Sequence, residues 1–127
     1  MNQTGFTVLR IVMGVFFVLH GWPKWLHHPA TVLFFQHLGI PWAGVVAWVV
    51  AVVEVVGGAL LAIGRLTRIA ALLLMADTLG IIAFATGRAG FTTGWGYQVL
   101  MLAALLACFS QTFVRPGLGR RAPTWWT

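Results

Sequence analysis

Four apolar runs dominate this sequence, and each is long enough to cross a lipid bilayer as a single helix. They extend over about residues 6–25, 43–63, 69–86 and 97–114. The hydrocarbon core of a bilayer is about 30 Å thick and takes about 20 residues of helix. Runs of this length leave no room in 127 residues for a separate soluble domain. The sequence therefore predicts an all-α fold, a four-transmembrane-helix bundle that forms a single membrane domain over residues 1–127.

Composition agrees with this prediction. Hydrophobic residues make up 60% of the chain and charged residues only 8%, whereas about 25% of a soluble domain is charged. The net charge of +6 would suggest a nucleic-acid partner if the basic residues formed a water-facing cluster. They stand singly beside the apolar runs instead. We therefore expect the lipid bilayer as the partner and no nucleic acid.

The connection between the first two predicted helices contains a further apolar stretch. Residues 31–38 are apolar but too short to span, and Pro29 and Pro41 bound them. This pattern predicts an interfacial half-helix. His27 and His28 precede it and are typical of a solvated loop. Between the second and third predicted helices, residues 64–68 predict a tight basic turn.

The distribution of basic residues predicts the orientation. An even number of crossings places both termini and the turn at 64–68 on one side, together with most of the basic residues: Arg10, Arg65, Arg68, Arg115, Arg120 and Arg121. Lys24 and Arg88 lie on the other side. Because basic loops stay inside, we expect a multi-pass protein with both termini in the cytoplasm.

The only two acidic residues lie inside predicted helices. At about 1.5 Å per residue, Glu54 and Asp77 fall roughly 14–17 Å above the turn at 64–68, so they share one depth near the midplane. An acidic residue there costs about 2.5–3.5 kcal/mol on insertion scales and normally faces the bundle interior. Glu54 also lies on a stripe of small and apolar residues: Ala47, Ala51, Gly58 and Leu61. Each acid is therefore a candidate functional residue.

The first helix supplies the candidate basic partners. One face carries Arg10, Gly14, Phe17, Gly21 and Lys24, and His20 flanks it. Arg10 would either reach a midplane carboxylate or extend to the cytoplasmic headgroups. An excess of carboxylates over nearby cations would leave one acid holding a proton. The alternative for all these residues is a structural role, in which they fix helix packing by hydrogen bonds.

Other chemistries find little support. The histidines show no metal-ligand spacing and no deep pair for haem, so we expect neither a metal nor a haem. No nucleophile stands beside a base in a recognisable arrangement. Cys108 has no second thiol for a redox pair, which indicates a small buried packing residue.

Three motifs resemble a known family. Residues 9–24, LRIVMGVFFVLHGWPK, are similar to the opening signature of the DoxX family. Residues 53–65, VEVVGGALLAIGR, resemble its second signature, and residues 94–98, GWGYQ, resemble the lead into its last helix. The family's polar positions match one set of residues here: Arg10, His20, Gly21, Lys24, Glu54 and Gly58. Many members carry an acid where Gln98 stands, and Asp77 lies outside the signatures.

The resemblance implies a four-helix protein of the bacterial cytoplasmic (inner) membrane. Relatives include the DoxD-type subunits of thiosulfate:quinone oxidoreductase and proteins linked to quinone resistance or oxidative stress. It therefore implies a membrane subunit of a quinone-dependent oxidoreductase, with a partner subunit or a diffusible compound as reductant. In that role the quinone would be bound by Arg10, His20, Lys24 and Glu54. Protons would be exchanged by Glu54, His20 and Asp77.

Two alternatives remain open. In the first, the protein is non-enzymatic and acts as a membrane scaffold, or as a binder or carrier of a small apolar compound or lipid. A proton-coupled transporter is less favoured because the chain shows no inverted repeat, and it would need a homo-oligomer to form a pathway.

Overall fold

The computed structural model describes residues 3–86, 90 and 95–111, and within these ranges the protein is a bundle of helices. The predicted loop containing Arg88 and the tail from Arg115 to Thr127 lie outside the described residues. The described helices are α1 (Gln3–Leu26), α2 (His28–His37), α3 (Ala43–Val52), α4 (Gly58–Ile63), α5 (Thr67–Ile81) and α6 (Gly96–Gln111). Two π-helical segments, Val53–Gly57 and Ile82–Thr86, continue α3 and α5.

The predicted all-α bundle is confirmed. Three continuous helices, Gln3–Leu26, Ala43–Ile63 and Thr67–Phe84, are long and apolar enough to cross a membrane. The shorter apolar helix α6 packs against α5 and α1 and completes the bundle. The predicted half-helix is α2, which lies against α3.

Glycines set the close approach of α1 to α4. A Cβ atom added at Gly14 would lie 2.5 Å from the carbonyl oxygen of Gly58, and one added at Gly58 would lie 2.6 Å from the carbonyl oxygen of Gly14. Glycine at both positions therefore lets the two backbones meet, as small residues do in membrane helix pairs. The small-residue stripe predicted around Glu54 is buried along its whole length, from Ala47 to Leu61.

The turn between α4 and α5 is as tight as predicted. Gly64 has a φ of +80°, and the amides of Gly64 and Arg65 both donate to the carbonyl of Leu60, at 2.9 and 3.0 Å. This left-handed glycine cap reverses the chain within a few residues. As a result, Glu54 and Asp77 are carried on two neighbouring helices at similar distances from the turn.

Two apolar clusters form the core. The larger one joins α1, α4, α5 and α6 around Phe17, Leu61, Leu74 and Leu105, and it includes the buried Cys108. The packing role predicted for Cys108 is thus confirmed. The smaller cluster joins Phe35 of α2 to Ala43 and Ala47 of α3. It fixes α2 over one end of the bundle, where the polar residues lie.

Candidate functional site

A cavity of about 430 Å³ opens inside the bundle beneath α2. Its size falls within the usual range for small-molecule sites, about 300–1,000 Å³. The wall is mainly apolar, and α1, α2, the α3–α4 helix, α5 and α6 all contribute to it. Its polar members are His20, Lys24, Glu54, Asp77, Tyr97 and Gln98.

The centre of the cavity wall is an ion pair between α1 and the π segment after α3. Lys24 Nζ lies 2.6 Å from both carboxylate oxygens of Glu54 and donates to each. The Glu54 side chain is fully buried, and that of Lys24 is 21% exposed. Because an isolated carboxylate is costly in an apolar interior, Lys24 is the group that makes an ionised Glu54 tolerable here.

Gly21 brings α1 close enough for this pair to form. A Cβ atom at Gly21 would lie 2.6 Å from the Cβ of Glu54, which is closer than two side chains can approach. Lys24 follows Gly21 by about one helical turn on the same face. The absence of a side chain at Gly21 therefore lets Lys24 reach across to Glu54.

Glu54 is presented by a π-helical segment, Val53–Gly57. A second π segment, Ile82–Thr86, follows the helix that carries Asp77. Such segments are rare within α-helices and are frequent at functional sites. Both membrane helices that carry an acid thus depart from regular geometry near the cavity.

Two buried polar atoms on the cavity wall lack a hydrogen-bond partner among the described residues. They are Oδ2 of Asp77 on α5 and Oε1 of Gln98 on α6. The Asp77 carboxyl also lies next to that of Glu54 and interacts with it. Since buried polar groups are nearly always satisfied in native proteins, these atoms mark a place where a ligand or an ordered water would be expected.

His20 and Tyr97 border the same cavity and share an aromatic neighbour. The His20 ring stacks on Phe16 with centroids 4.7 Å apart, and Phe16 also contacts Tyr97 at 5.8 Å. His20 lies about one helical turn before Lys24 on α1 and lines the same cavity. Of the predicted site residues, His20, Lys24, Glu54 and Asp77 are thus brought together.

Arg10 is not brought to this site, and of the two positions left open for its side chain, the pairing with a midplane carboxylate is not the one observed. Its guanidinium donates to the carbonyl of Leu61 at 3.2 Å and fills the space beside Gly64. Arg10 lies at a level of α1 that is close to the turn at Gly64, whereas Glu54 and Asp77 lie about three helical turns away from that turn. The nearer cation, Lys24, makes the pairing that the sequence had left open for Arg10.

A scan against protein-family models finds a match to the model described as DoxX over residues 5–87. The chain belongs to the DoxX family. The matched region contains the Lys24–Glu54 pair and Asp77, whereas Gln98 lies beyond it. The family match therefore covers the ion pair and Asp77.

The curated relatives of this DoxX protein include the protein named "Putative oxidoreductase CatD" from Bacillus subtilis strain 168. The two are 31% identical over 100 residues, which cover 79% of this chain and 73% of the relative. No solved structure matches the chain closely enough to count as a relative. This protein is therefore a DoxX-type integral membrane protein, and one of its relatives is named as an oxidoreductase.

His28 differs from the solvated-loop prediction. It lies in α2, its Nε2 is 3.0 Å from the carbonyl oxygen of Gly44, and its ring stacks on Trp48 with centroids 4.1 Å apart. Trp25 of α1 packs edge-on against the same Trp48 at 5.6 Å. These contacts attach α2 to α3, and α3 to α1, so His28 helps to position the roof of the cavity.

Sequence analysis missed the contributions of α2 and α6 to the DoxX cavity. Phe34 and Phe35 line it from α2, and Tyr97 and Gln98 line it from α6. The signal for Gln98 was available, since it is an amide at the start of an otherwise apolar helix. The phenylalanines gave no signal, because an aromatic residue in an apolar half-helix is equally suited to lipid contact.

Proposed function

We propose that this DoxX protein binds the headgroup of a quinone or its quinol in the cavity around Lys24 and Glu54, as a membrane subunit of a quinone-linked redox system. Three features support the proposal: a cavity of suitable volume within a membrane bundle, a cluster of ionisable groups on its wall, and an oxidoreductase-named relative. The electrons would come from a reductant outside the cavity, a redox centre on a partner subunit or a diffusible compound.

The two unpartnered buried acceptors carry this proposal. Oδ2 of Asp77 and Oε1 of Gln98 call for hydrogen-bond donors, and leaving such atoms unsatisfied costs about 1–3 kcal/mol each. The two hydroxyl groups of a quinol are donors of this kind on an aromatic ring that suits the apolar wall. The residues present therefore fit a quinol headgroup.

Donors for the oxidised form are also at hand. An ammonium has three N–H groups, and Lys24 uses at most two of them on Glu54. The remaining N–H, together with a ring N–H of His20, would donate to a quinone carbonyl. The same wall thus offers donors to a quinone and acceptors to a quinol.

Proton exchange falls to the two carboxyl groups. Reduction of a quinone to a quinol consumes two electrons and two protons. Lys24 balances one carboxylate charge, so the adjoining pair of Glu54 and Asp77 can hold one proton between them without net charge. Asp77 would deliver the proton that it shares with Glu54 to the quinone oxygen that its Oδ2 faces. Water would supply the second proton, which reaches the other quinone oxygen after the carboxyl pair has been reprotonated.

The proposal includes a location. We place the protein in the bacterial cytoplasmic membrane with both termini in the cytoplasm, because most of the basic residues fall on that side of the predicted bundle. The cavity, Lys24 and α2 then lie in the outer half of the membrane. A redox partner would dock near that surface.

A second candidate function is a binder or carrier of a small apolar compound or lipid. The mainly apolar wall favours it, in particular Phe34, Phe35, Leu38 and Met101. Under this alternative the Lys24–Glu54 pair holds α1 against the π segment and takes no part in recognition. The two candidates differ in what the polar groups do when a ligand binds.

Equilibrium titration of the purified protein in nanodiscs tests the proposal. A decyl-substituted benzoquinol and its quinone would be added to wild type and to the Asp77→Leu and Gln98→Leu variants, with Arg10→Gln as a control outside the cavity. We expect each leucine variant to weaken quinol binding about tenfold, the equivalent of about 1.4 kcal/mol, and the control to bind normally. Equal binding by all four proteins would favour the apolar carrier.

A further inference from the structure

The roof of the cavity is attached on one side only. Helix α2 packs against α3 and, over a smaller area, against α1, whereas no comparable packing joins α2 to α5 in the described ranges. Residues from both α2 and α5 nevertheless line the cavity. Among the described residues, packing between α2 and α5 therefore does not close the cavity on this side, and we call the gap between the two helices the slot.

Both edges of this slot are apolar. Phe34 of α2 and Leu38 just after it form one edge, and Ile81 and Phe84 of α5 and its π segment form the other. Phe34 is 57% exposed and Phe84 is 50% exposed. Such side chains face lipid at little cost. Because Phe84 ends the spanning segment Thr67–Phe84, the slot opens toward the hydrocarbon region of the bilayer or its border.

Gly80 leaves space in the α5 edge of the slot. It lines the cavity, and a Cβ atom added there would meet no heavy atom of the described residues within 4 Å. A Cβ atom at Gly21, by contrast, would lie 2.6 Å from the Cβ of Glu54. Gly80 is therefore a position where a side chain would enter open space without displacing the bundle.

The cavity has polar walls and one wholly apolar wall. Lys24, Glu54, Asp77 and Gln98 are contributed by α1, the π segment, α5 and α6, whereas the cavity residues contributed from the α2 side are all apolar. A small polar molecule would make use of the polar walls only. An amphiphile with a polar ring and an apolar tail would match both kinds of wall, with the tail along the α2 side.

We infer that the ligand of this cavity is a tailed amphiphile that enters sideways from the bilayer between α2 and α5 and keeps its apolar tail in that slot. The inference rests on the proposed function for the headgroup and adds the class of ligand and its route. It assigns Gly80 as the residue that keeps the route open.

Substitution of Gly80 tests the inference. Gly80→Leu would place a side chain in the slot, and Gly44→Leu is the matched control, since Gly44 is also helical, has open space within 4 Å and lies outside the cavity wall. Each protein would be titrated in nanodiscs with a decyl-substituted benzoquinol and with the same headgroup without the tail. Comparing each variant with wild type for one ligand cancels the partitioning of that ligand into lipid.

We expect Gly80→Leu to weaken the tailed quinol about tenfold or more and to leave the tailless headgroup within about twofold of wild type, with Gly44→Leu unchanged for both. The smaller Gly80→Ala should give an intermediate loss and guards against misfolding of the leucine variant. If Gly80→Leu weakened both ligands equally, or weakened neither, the inference that the tail lies in the slot would be overturned. Tailless binding that is preserved would still support the headgroup site, whereas failure of wild type to bind either ligand would overturn both proposals.

Discussion

Lys24 Nζ lies 2.6 Å from both carboxylate oxygens of Glu54, and this pair joins α1 to the π segment at the wall of the cavity. Glu54 is fully buried, so the contribution of the pair to stability depends on which of its partners is removed. Removal of one member of a buried ion pair leaves an uncompensated charge and costs about 3–5 kcal/mol, whereas replacement of both by apolar or neutral groups costs much less.

This arrangement predicts a non-additive mutant cycle. Lys24→Met should destabilise the protein by about 3–5 kcal/mol, because Glu54 would remain buried and charged. The double variant Lys24→Met with Glu54→Gln should recover most of that loss. Thermal unfolding in detergent, followed by circular dichroism, measures both. Additive losses in the double variant would mean that the pair does not act as a unit.

The glycine that brings α1 to Glu54 makes a second prediction. Gly21→Val should destabilise the bundle by about 1–3 kcal/mol, the usual cost of overpacking, because its side chain would overlap the Cβ of Glu54. Gly44→Val is the control, since that position has open space. The measurement is the unfolding temperature of each variant. Equal unfolding temperatures for the two would show that α1 is farther from Glu54 than the structure places it.

Arg10 is predicted to act in stability alone. Arg10→Met removes the hydrogen bond to the Leu61 carbonyl and should cost about 1 kcal/mol. Gly64→Ala should cost about 1–2 kcal/mol, because the residue has a φ of +80° and its side chain would overlap the Arg10 guanidinium. Neither should change quinol affinity, measured by titration in nanodiscs. A loss of affinity with intact stability would return Arg10 to the binding site.

Orientation can be tested on single-cysteine variants. In a Cys108→Ala background, Pro41→Cys between α2 and α3 should react with a membrane-impermeant maleimide added outside spheroplasts, and Arg65→Cys in the opposite turn should react only after lysis. The positive-inside distribution gives this expectation. Labelling of Arg65→Cys from outside would reverse the orientation and place the cavity in the inner half of the membrane.

Much of the bundle follows from the sequence for clear physical reasons. Helix length and hydropathy are local properties, so the spans and the half-helix α2 were predictable from the apolar runs alone. The burial of Glu54 was predictable because small residues at helical spacing flank it, and Gly58 does meet Gly14. The equal depth of Glu54 and Asp77 followed from the rise per residue and the tight turn at Gly64.

The partner of Glu54 was not predictable, because it depends on how α1 is positioned against a π segment. Arg10 and Lys24 lie on one face of α1, toward opposite ends, and their spacing alone allows either of them to pair with Glu54. The π turns at Val53–Gly57 and Ile82–Thr86 have no sequence signal that we can name. Phe34 likewise became a cavity residue through the attachment of α2 to α3, a tertiary contact that periodicity does not contain.

Photo-crosslinking tests the central claim most directly. The protein in nanodiscs would be irradiated with an azido-substituted, decyl-tailed quinone, and the modified peptides would be mapped by mass spectrometry. The account predicts adducts on the cavity wall, within residues 34–40 at the end of α2 and after it, and within residues 76–84 of α5 and its π segment. An excess of unlabelled quinol should suppress these adducts, and Asp77→Leu should reduce them. Adducts confined to lipid-facing residues such as Trp48, or adducts that unlabelled quinol does not suppress, would contradict a quinone site in this cavity.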